Sequence, residues 1–194
     1  MGMSNWWDLA YSNDFIPWHS DTPTKELVDL VESGRIKPCK VIDIGCGLAT
    51  NSIYLAKKGF IVTGIDISAV AISRAKQRAK MEGVSISFYN IDFTKTETVS
   101  KIGKFDLAID IGCYHSLASK NERERYFESL NKILNNGGKY LLWAFSSKDA
   151  WKGGPPGIDE NEIEIMYDKK FSIIERKLID TSFRMTYFYY LQKL

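Results

Sequence analysis

Between a short β-rich run, Lys40 to Ile44, and a helical pattern over Asn51 to Lys58 stands the turn Asp43-Ile44-Gly45-Cys46-Gly47. Glycines at such a turn let the backbone bend tightly and let a ligand approach its amides closely, which is the chemistry of a nucleotide cradle. Two carboxylates belong to it. Asp43 lies two residues before Gly45, still on the strand, and Asp66 ends the next strand about 20 residues after the loop, where a carboxylate accepts both ribose hydroxyls. A dinucleotide fingerprint needs a third glycine, and that position is Thr50. An NAD-dependent oxidoreductase is therefore the weaker alternative on the same residues.

A second set of candidates follows the fourth apolar run. His115 lies just past it, where loops at the carboxyl ends of parallel strands form a ligand crevice. An imidazole there can take a proton near neutral pH, so His115 is the candidate general base, against the alternative of a histidine that only packs or hydrogen-bonds at the crevice wall. Tyr114 is its alternate, as a hydroxyl contact or an aromatic wall. Cys46 offers its backbone to the cradle while its side chain reads as a small hydrophobe. Asp106, Asp110 and His115 make no convincing ligand set, so no metal is expected. The basic stretch Arg74, Lys76, Arg78 and Lys80 alternates around one helix and reads as a solvated face.

The elements that must position these residues alternate. Lys40–Ile44, Ile61–Ile65, Ile86–Ile91, Phe105–Ile111 and Lys139–Phe145 read as strands, and the fourth is apolar enough to be buried on both faces. Helices lie between them: one over Asn51–Lys58 stopped by Gly59, and one capped by Ser68 that runs to Met81 and ends at Gly83. A third begins at the capping box Ser119 to Glu122 and ends at Asn136-Gly137-Gly138. Gly153 to Gly157 must be a loop. Asp159 with Glu162 caps a short helix to about Tyr167, and Phe171–Leu178 with Met185–Leu191 are joined too closely for a crossover, hence antiparallel. Such alternation predicts an α/β fold, a doubly wound, mostly parallel sheet with helices on both faces. Residues 1–35 form an aromatic arm (Trp6, Trp7, Tyr11, Phe15, Trp18) with a helix capped by Thr22, Pro23 in its first position; residues 36–194 form the main domain.

Several ordered blocks carry a resemblance. Val41 to Gly47 followed by Gly64-Ile65-Asp66-Ile67-Ser68 resembles the first two motifs of class I S-adenosylmethionine (SAM)-dependent methyltransferases. Asn90-Ile91-Asp92-Phe93 resembles the block whose Asp meets the adenine amino group while the next residue lines the ring. Phe105 to Asp110 resembles the fourth-strand motif, and Leu134 to Gly138 the turn before the fifth strand, with Asn135 and Asn136 in place of Lys and Pro. The resemblance spans about residues 38–145 and implies a seven-stranded Rossmann-like sheet. It also implies SAM as cofactor, held by Asp43, Gly45, Cys46, Gly47, Asp66, Ile67, Asp92, Phe93, Asp110 and Ile111.

A narrower likeness concerns the acceptor. Ile16-Pro17-Trp18-His19 is similar to the arm of thiol and halide methyltransferases, with His19 where that arm carries Asp; the arm's aromatics read either as a lid, Trp18 over the cofactor and Tyr11 over the acceptor, or as an amphipathic segment packed on the sheet edge. Asp110 to Leu117 is similar to a block of those enzymes and of thiopurine methyltransferases, with Ile111 where the block carries Arg. Gly154 to Ile158 resembles a loop near the acceptor pocket of such small enzymes, including the tellurite-resistance type. Together these imply a small-molecule acceptor, a thiol, halide or similar nucleophile. A SAM-binding regulatory protein without a usable acceptor pocket is the non-enzymatic alternative.

Composition narrows the partners. A net charge of +2 without a block of like charge, and no appended basic domain, argue against nucleic acid. No run nears the roughly 18 apolar residues of a membrane span. Three cysteines, an odd and sparse set, fit a reducing compartment. The expectation is a cytoplasmic monomer or weak homodimer.

Overall fold

The computed structural model describes residues 3–150, 154–181 and 183–194. Gly153, read above as the start of a loop, lies outside the described residues, as do Met1 and Gly2 of the arm. The chain divides into two compact units at Phe93/Thr94. Its seven strands form a mixed sheet, mostly parallel with an antiparallel end.

The first unit holds α1 (Met3–Ser12), α2 (Lys25–Glu32), β1 (Lys40–Ile44), α3 (Thr50–Lys57), β2 (Ile61–Asp66), α4 (Ala69–Met81) and β3 (Ser87–Asn90). Its strands run parallel in the order β3-β2-β1. Four of five β1 residues are buried, as a strand covered on both faces requires. Ser68 caps α4 by accepting from the Ala71 amide at 3.1 Å, as its residue type foretells.

The arm helix starts later than predicted. Thr24, not Thr22, precedes α2, because Thr22 is tied into a turn: its amide donates to Ser20 Oγ at 3.1 Å, and the Thr24 amide donates to Asn51 Oδ1 at 3.0 Å. Nor is the basic face of α4 simply solvated. Lys76 and Lys80 are exposed, but Arg78 donates to the Leu48 carbonyl at 3.0 Å and to Asp21 Oδ1 at 2.8 Å, and Arg74 donates to the Tyr11 carbonyl at 2.7 Å. Two of the four cations thus fasten the arm and the glycine loop to α4.

The second unit holds α5 (Thr96–Val99), β4 (Phe105–Ile111), α6 (Lys120–Ile133), β5 (Leu134–Phe145), α7 (Glu162–Tyr167), β6 (Phe171–Asp180) and β7 (Met185–Lys193). Here the order is β4-β5-β7-β6, the first pair parallel and the last two pairs antiparallel. The capping box forms: Ser119 Oγ accepts from the Glu122 amide at 3.2 Å, and Glu122 accepts from the Ser119 amide at 3.0 Å. Asn136-Gly137-Gly138 does not end α6. The helix stops at Ile133, and these residues lie in the irregular start of β5, where the register with β4 slips between Phe105 and Leu107.

Candidate active site

In the first unit the loop after β1 winds through left-handed backbone at Gly45, Gly47 and Ala49, with φ of 69°, 51° and 64°. A Cβ on Gly47 would stand 2.8 Å from the Tyr11 hydroxyl and would sit on left-handed backbone, so a side chain there is strained and displaces the arm's tyrosine. Below the loop, Asp43 is buried and accepts from Ser52 Oγ at 2.6 Å, which ties β1 to α3. Cys46 is buried against Ala49, Ile53 and Phe88, as an apolar packing residue.

Asp66 ends β2 as expected. Its Oδ2 accepts from the Gly47 amide and its Oδ1 from the Ser68 amide, each at 2.9 Å. Burial pushes its carboxyl up to about 6, against the pull of those amides and with the nearby Asp8 adding to the rise. The Ile91 amide donates to the Asp66 carbonyl at 3.0 Å, so Asp92 and Phe93 leave β3 beside the end of β2. Phe93 is buried, while Ile67 and Asp92 are half-buried. Trp18 donates its indole N–H to the Tyr11 hydroxyl at 3.4 Å and packs edge-on against Trp7. The arm thereby lies on the loop, with Tyr11 buried against Leu48 and Ala71.

In the second unit the chain after β4 turns sharply into a 3-10 turn, Tyr114–Ser116. Asp110 makes that turn. Its buried carboxylate accepts from the Cys113 amide at 2.8 Å, the Tyr114 amide at 3.0 Å and the Tyr126 hydroxyl at 2.6 Å. Burial lifts it to about 6, opposed by those donors. Those partners make Asp110 the anchor of the loop. Ile111, half-buried, pairs in register with Trp143 of β5.

His115 and Tyr114 are both buried. His115 Nδ1 accepts from the Phe145 amide at 3.0 Å, which leaves the ring proton on Nε2. Its ring stacks on Phe145 with centroids 4.4 Å apart. Burial, then the charges of Arg184 and Arg123, lower its pKa to about 3. That environment gives a neutral N–H donor, which opposes the general-base reading. Tyr114 turns away from the loop, and its hydroxyl donates to Glu162 Oε1 at 2.9 Å and meets Met166 Sδ at 3.1 Å on α7. Burial raises that phenol well above its ordinary range. The Tyr114 hydroxyl is thus committed to α7.

Around His115 the second unit builds an aromatic surface. Trp143 and Phe145, alternate residues of β5, meet edge-on at 5.3 Å, and Phe183 lies 5.8 Å from Phe145 and is 68% exposed. Among the described residues no group of acids, histidines and cysteines can hold a metal, and no helix is long and apolar enough to cross a membrane.

The family model for thiopurine S-methyltransferase matches residues 3–183, nearly the whole chain. The chain belongs to that family. It is a SAM-dependent methyltransferase, of the class whose motifs the sequence resembled. An uncharacterized methyltransferase of Schizosaccharomyces pombe is 36% identical over 131 residues, 65% of this chain and 88% of the relative. A 2-heptyl-1-hydroxyquinolin-4(1H)-one methyltransferase of Mycobacteroides abscessus is 29% identical, covering 81% of this chain and 69% of its own. A probable thiol methyltransferase of Arabidopsis thaliana is 26% identical over 93% of this chain and 74% of its own. Among solved structures, the magnesium protoporphyrin IX methyltransferase of Synechocystis, crystallised with SAM, superposes with a TM-score of 0.77 at 20% identity, covering 99% of this chain and 95% of that one.

Sequence reasoning passed over three groups in this methyltransferase. Asn90 donates its amide to the carbonyls of Asp66 at 3.0 Å and Ile67 at 2.8 Å, fixing the end of β2. Asp8 of α1 accepts from Ser68 Oγ and the Val70 amide. Arg184, buried, gathers the loop that precedes α7. Asn90 stood inside a quoted motif, so a signal existed; the other two join residues far apart in sequence.

Proposed function

We propose that this enzyme transfers a methyl group from SAM to a small soft nucleophile, a thiol or similar group carried on an apolar aromatic body. The observation that carries the acceptor reading is the surface of Trp143, Phe145 and Phe183 beside His115, which suits a flat apolar molecule. The family's S-methyl chemistry and the thiol methyltransferase relative favour sulfur; the hydroxyquinolone methyltransferase relative makes oxygen the second arm of the test.

The first unit's residues fit SAM. Asp66, mostly ionised at neutral pH, is oriented by the Gly47, Ser68 and Ile67 amides and keeps acceptor capacity for ribose hydroxyls. Gly45, Cys46 and Gly47 offer backbone, Asp43 braces the loop from below, and Ile67, Asp92 and Phe93 stand where the adenine belongs. SAM supplies a methyl on a sulfonium sulfur that leaves neutral. The protein's task is then to orient the acceptor and exclude water, and positioning alone is worth about 7–11 kcal/mol in favourable cases. Trp18 and Tyr11 serve this as cover for the cradle. Removing residues 1–20 should weaken SAM affinity, measured by calorimetry; unchanged affinity would reduce the arm to simple packing.

His115 acts here as a fixed N–H donor on Nε2, with Gly112 against its ring, where a Cβ would stand 3.5 Å from Cε1. The acceptor loses its proton to water, which a thiol with a pKa near about 8.5 can do unaided. A labelled-methyl screen over thiols, phenols and amines identifies the acceptor class. Across a series of thiols of differing acidity, the alkaline rise in kcat/KM should track each thiol's own pKa. A limb fixed near pH 6.5 for every thiol would restore His115 as the base.

A further inference from the structure

The arm helix places one carboxylate against the cofactor half of the site for which the cradle itself gives no reason. Asp8 Oδ1 accepts from Ser68 Oγ at 2.6 Å and from the Val70 amide at 3.2 Å, across a separation of 60 residues to Ser68. Ser68 Oγ in turn accepts from the Ala71 amide, and the Ser68 amide donates to Asp66 Oδ1 at 2.9 Å. A continuous run of hydrogen bonds thus leads from α1, through Ser68, to the carboxylate at the end of β2. The first amides of a helix have no partner within it, and α4 takes one of its partners from α1. The carboxylate charge also suits that end of the helix dipole. Arg74 fixes α1 from its other end by donating to the Tyr11 carbonyl.

We propose that Asp8 is a positioning residue for the cofactor: by holding the Ser68 hydroxyl and the first turn of α4, it sets the direction in which Asp66 presents its carboxylate. This rests on the reading of Asp66 as the ribose acceptor. Docking of the arm and binding of SAM then share one hydrogen-bond run, so each favours the other. With Asp8 truncated, the Ser68 hydroxyl loses its acceptor and is free to turn toward other partners, and the Val70 amide is left without one. Asparagine at this position keeps an acceptor oxygen but removes the charge that stands near Asp66.

The test compares full-length Asp8→Ala, Asp8→Asn and Asp66→Ala with the parent enzyme, by SAM calorimetry from about pH 5 to about pH 8 and by steady-state rates. Asp8→Ala should raise the SAM Kd and KM about tenfold at neutral pH, the worth of one charge-assisted hydrogen bond, while kcat at saturating SAM stays within about twofold. Asp8→Asn should bind nearly normally at neutral pH. Its acid loss of SAM binding should move to lower pH, since a like charge no longer opposes ionisation of Asp66. A residue that only stabilised α1 would lower the melting temperature and leave that limb in place. Normal binding by both Asp8 variants at every pH overturns the proposal, and so does an unmoved acid limb in Asp8→Asn if Asp8→Ala fails to fold. Normal binding by Asp66→Ala would instead overturn the ribose reading itself; loss of binding there with intact Asp8 variants removes Asp8 alone.

Discussion

Asp66→Ala is expected to raise the SAM dissociation constant by at least about 100-fold, as two charge-assisted hydrogen bonds of roughly 1.5–3 kcal/mol each require. Asp66 stands at the end of β2, its oxygens oriented by the Gly47 and Ser68 amides, while Asp43, the other buried carboxylate of this cradle, accepts from Ser52 below the loop. Asp66→Asn tests the charge, because an amide retains one acceptor but cannot receive both backbone amides and two hydroxyls. Calorimetry reads both variants; affinity within about threefold of the parent would remove Asp66 from the site.

The same group makes binding pH-dependent, with a sign that can be worked out. Burial holds Asp66 near 6 in the free protein, and SAM hydroxyls donate to its charged form, so affinity should fall as pH drops below about 6. Folding responds in the opposite sense. Asp66 and Asp110 both sit near 6, above the ordinary 3.8, so the folded chain keeps protons that the unfolded chain gives up. Their contribution to stability is fully present below about pH 3.8 and is lost as pH rises through about 6. The rise in melting temperature produced by SAM should therefore be larger at neutral pH than near pH 5. An equal rise at both would place the titrating group elsewhere.

What the sequence revealed about this site divides along a physical line. The turns of the glycine loop, the Ser68 cap and the Ser119–Glu122 box are each legible because backbone conformation and capping are decided by residues three or four apart. The closing antiparallel pair was legible from the length of its link. Side-chain direction was not. Tyr114 and His115 are adjacent and looked alike as crevice residues, yet the 3-10 turn anchored by Asp110 buries both, one under α7 and one against Phe145. Arg78 and Lys76 differ in the same way: helical position puts one within reach of Leu48 and leaves the other exposed. Asp8 and Arg184 act across the fold, where no local pattern records the partner.

Arg184 carries the second large effect. Its side chain is fully buried, and its guanidinium donates to the carbonyls of Pro155 at 2.8 Å, Pro156 at 3.3 Å and Ser146, and to Asp149 Oδ1 at 3.2 Å. It also lies over the Phe145 ring at 5.1 Å, the ring on which His115 stacks. The loop it gathers returns to the site through Gly157, whose amide donates to the His115 carbonyl at 3.1 Å. A Cβ on Gly157 would fall 2.5 Å from the Ser146 carbonyl oxygen, so the packing around this guanidinium tolerates little adjustment. Methionine would keep much of the stem and remove every donor. Arg184→Met should cost about 3 kcal/mol, since several buried carbonyls lose their partner but part of the loop can turn them to water. For a chain of this size that is a fall of roughly 6–12 °C in melting temperature. Because Arg184 supports the second unit's aromatic surface and not the glycine loop, the acceptor KM should rise while SAM affinity at neutral pH holds. Lysine, with one charge but no fork to span four acceptors, should recover only part of the stability. A methionine variant that melts with the parent enzyme would show that the loop folds without its arginine, and equal losses in SAM and acceptor binding would show that Arg184 does not act on the second unit's aromatic surface alone.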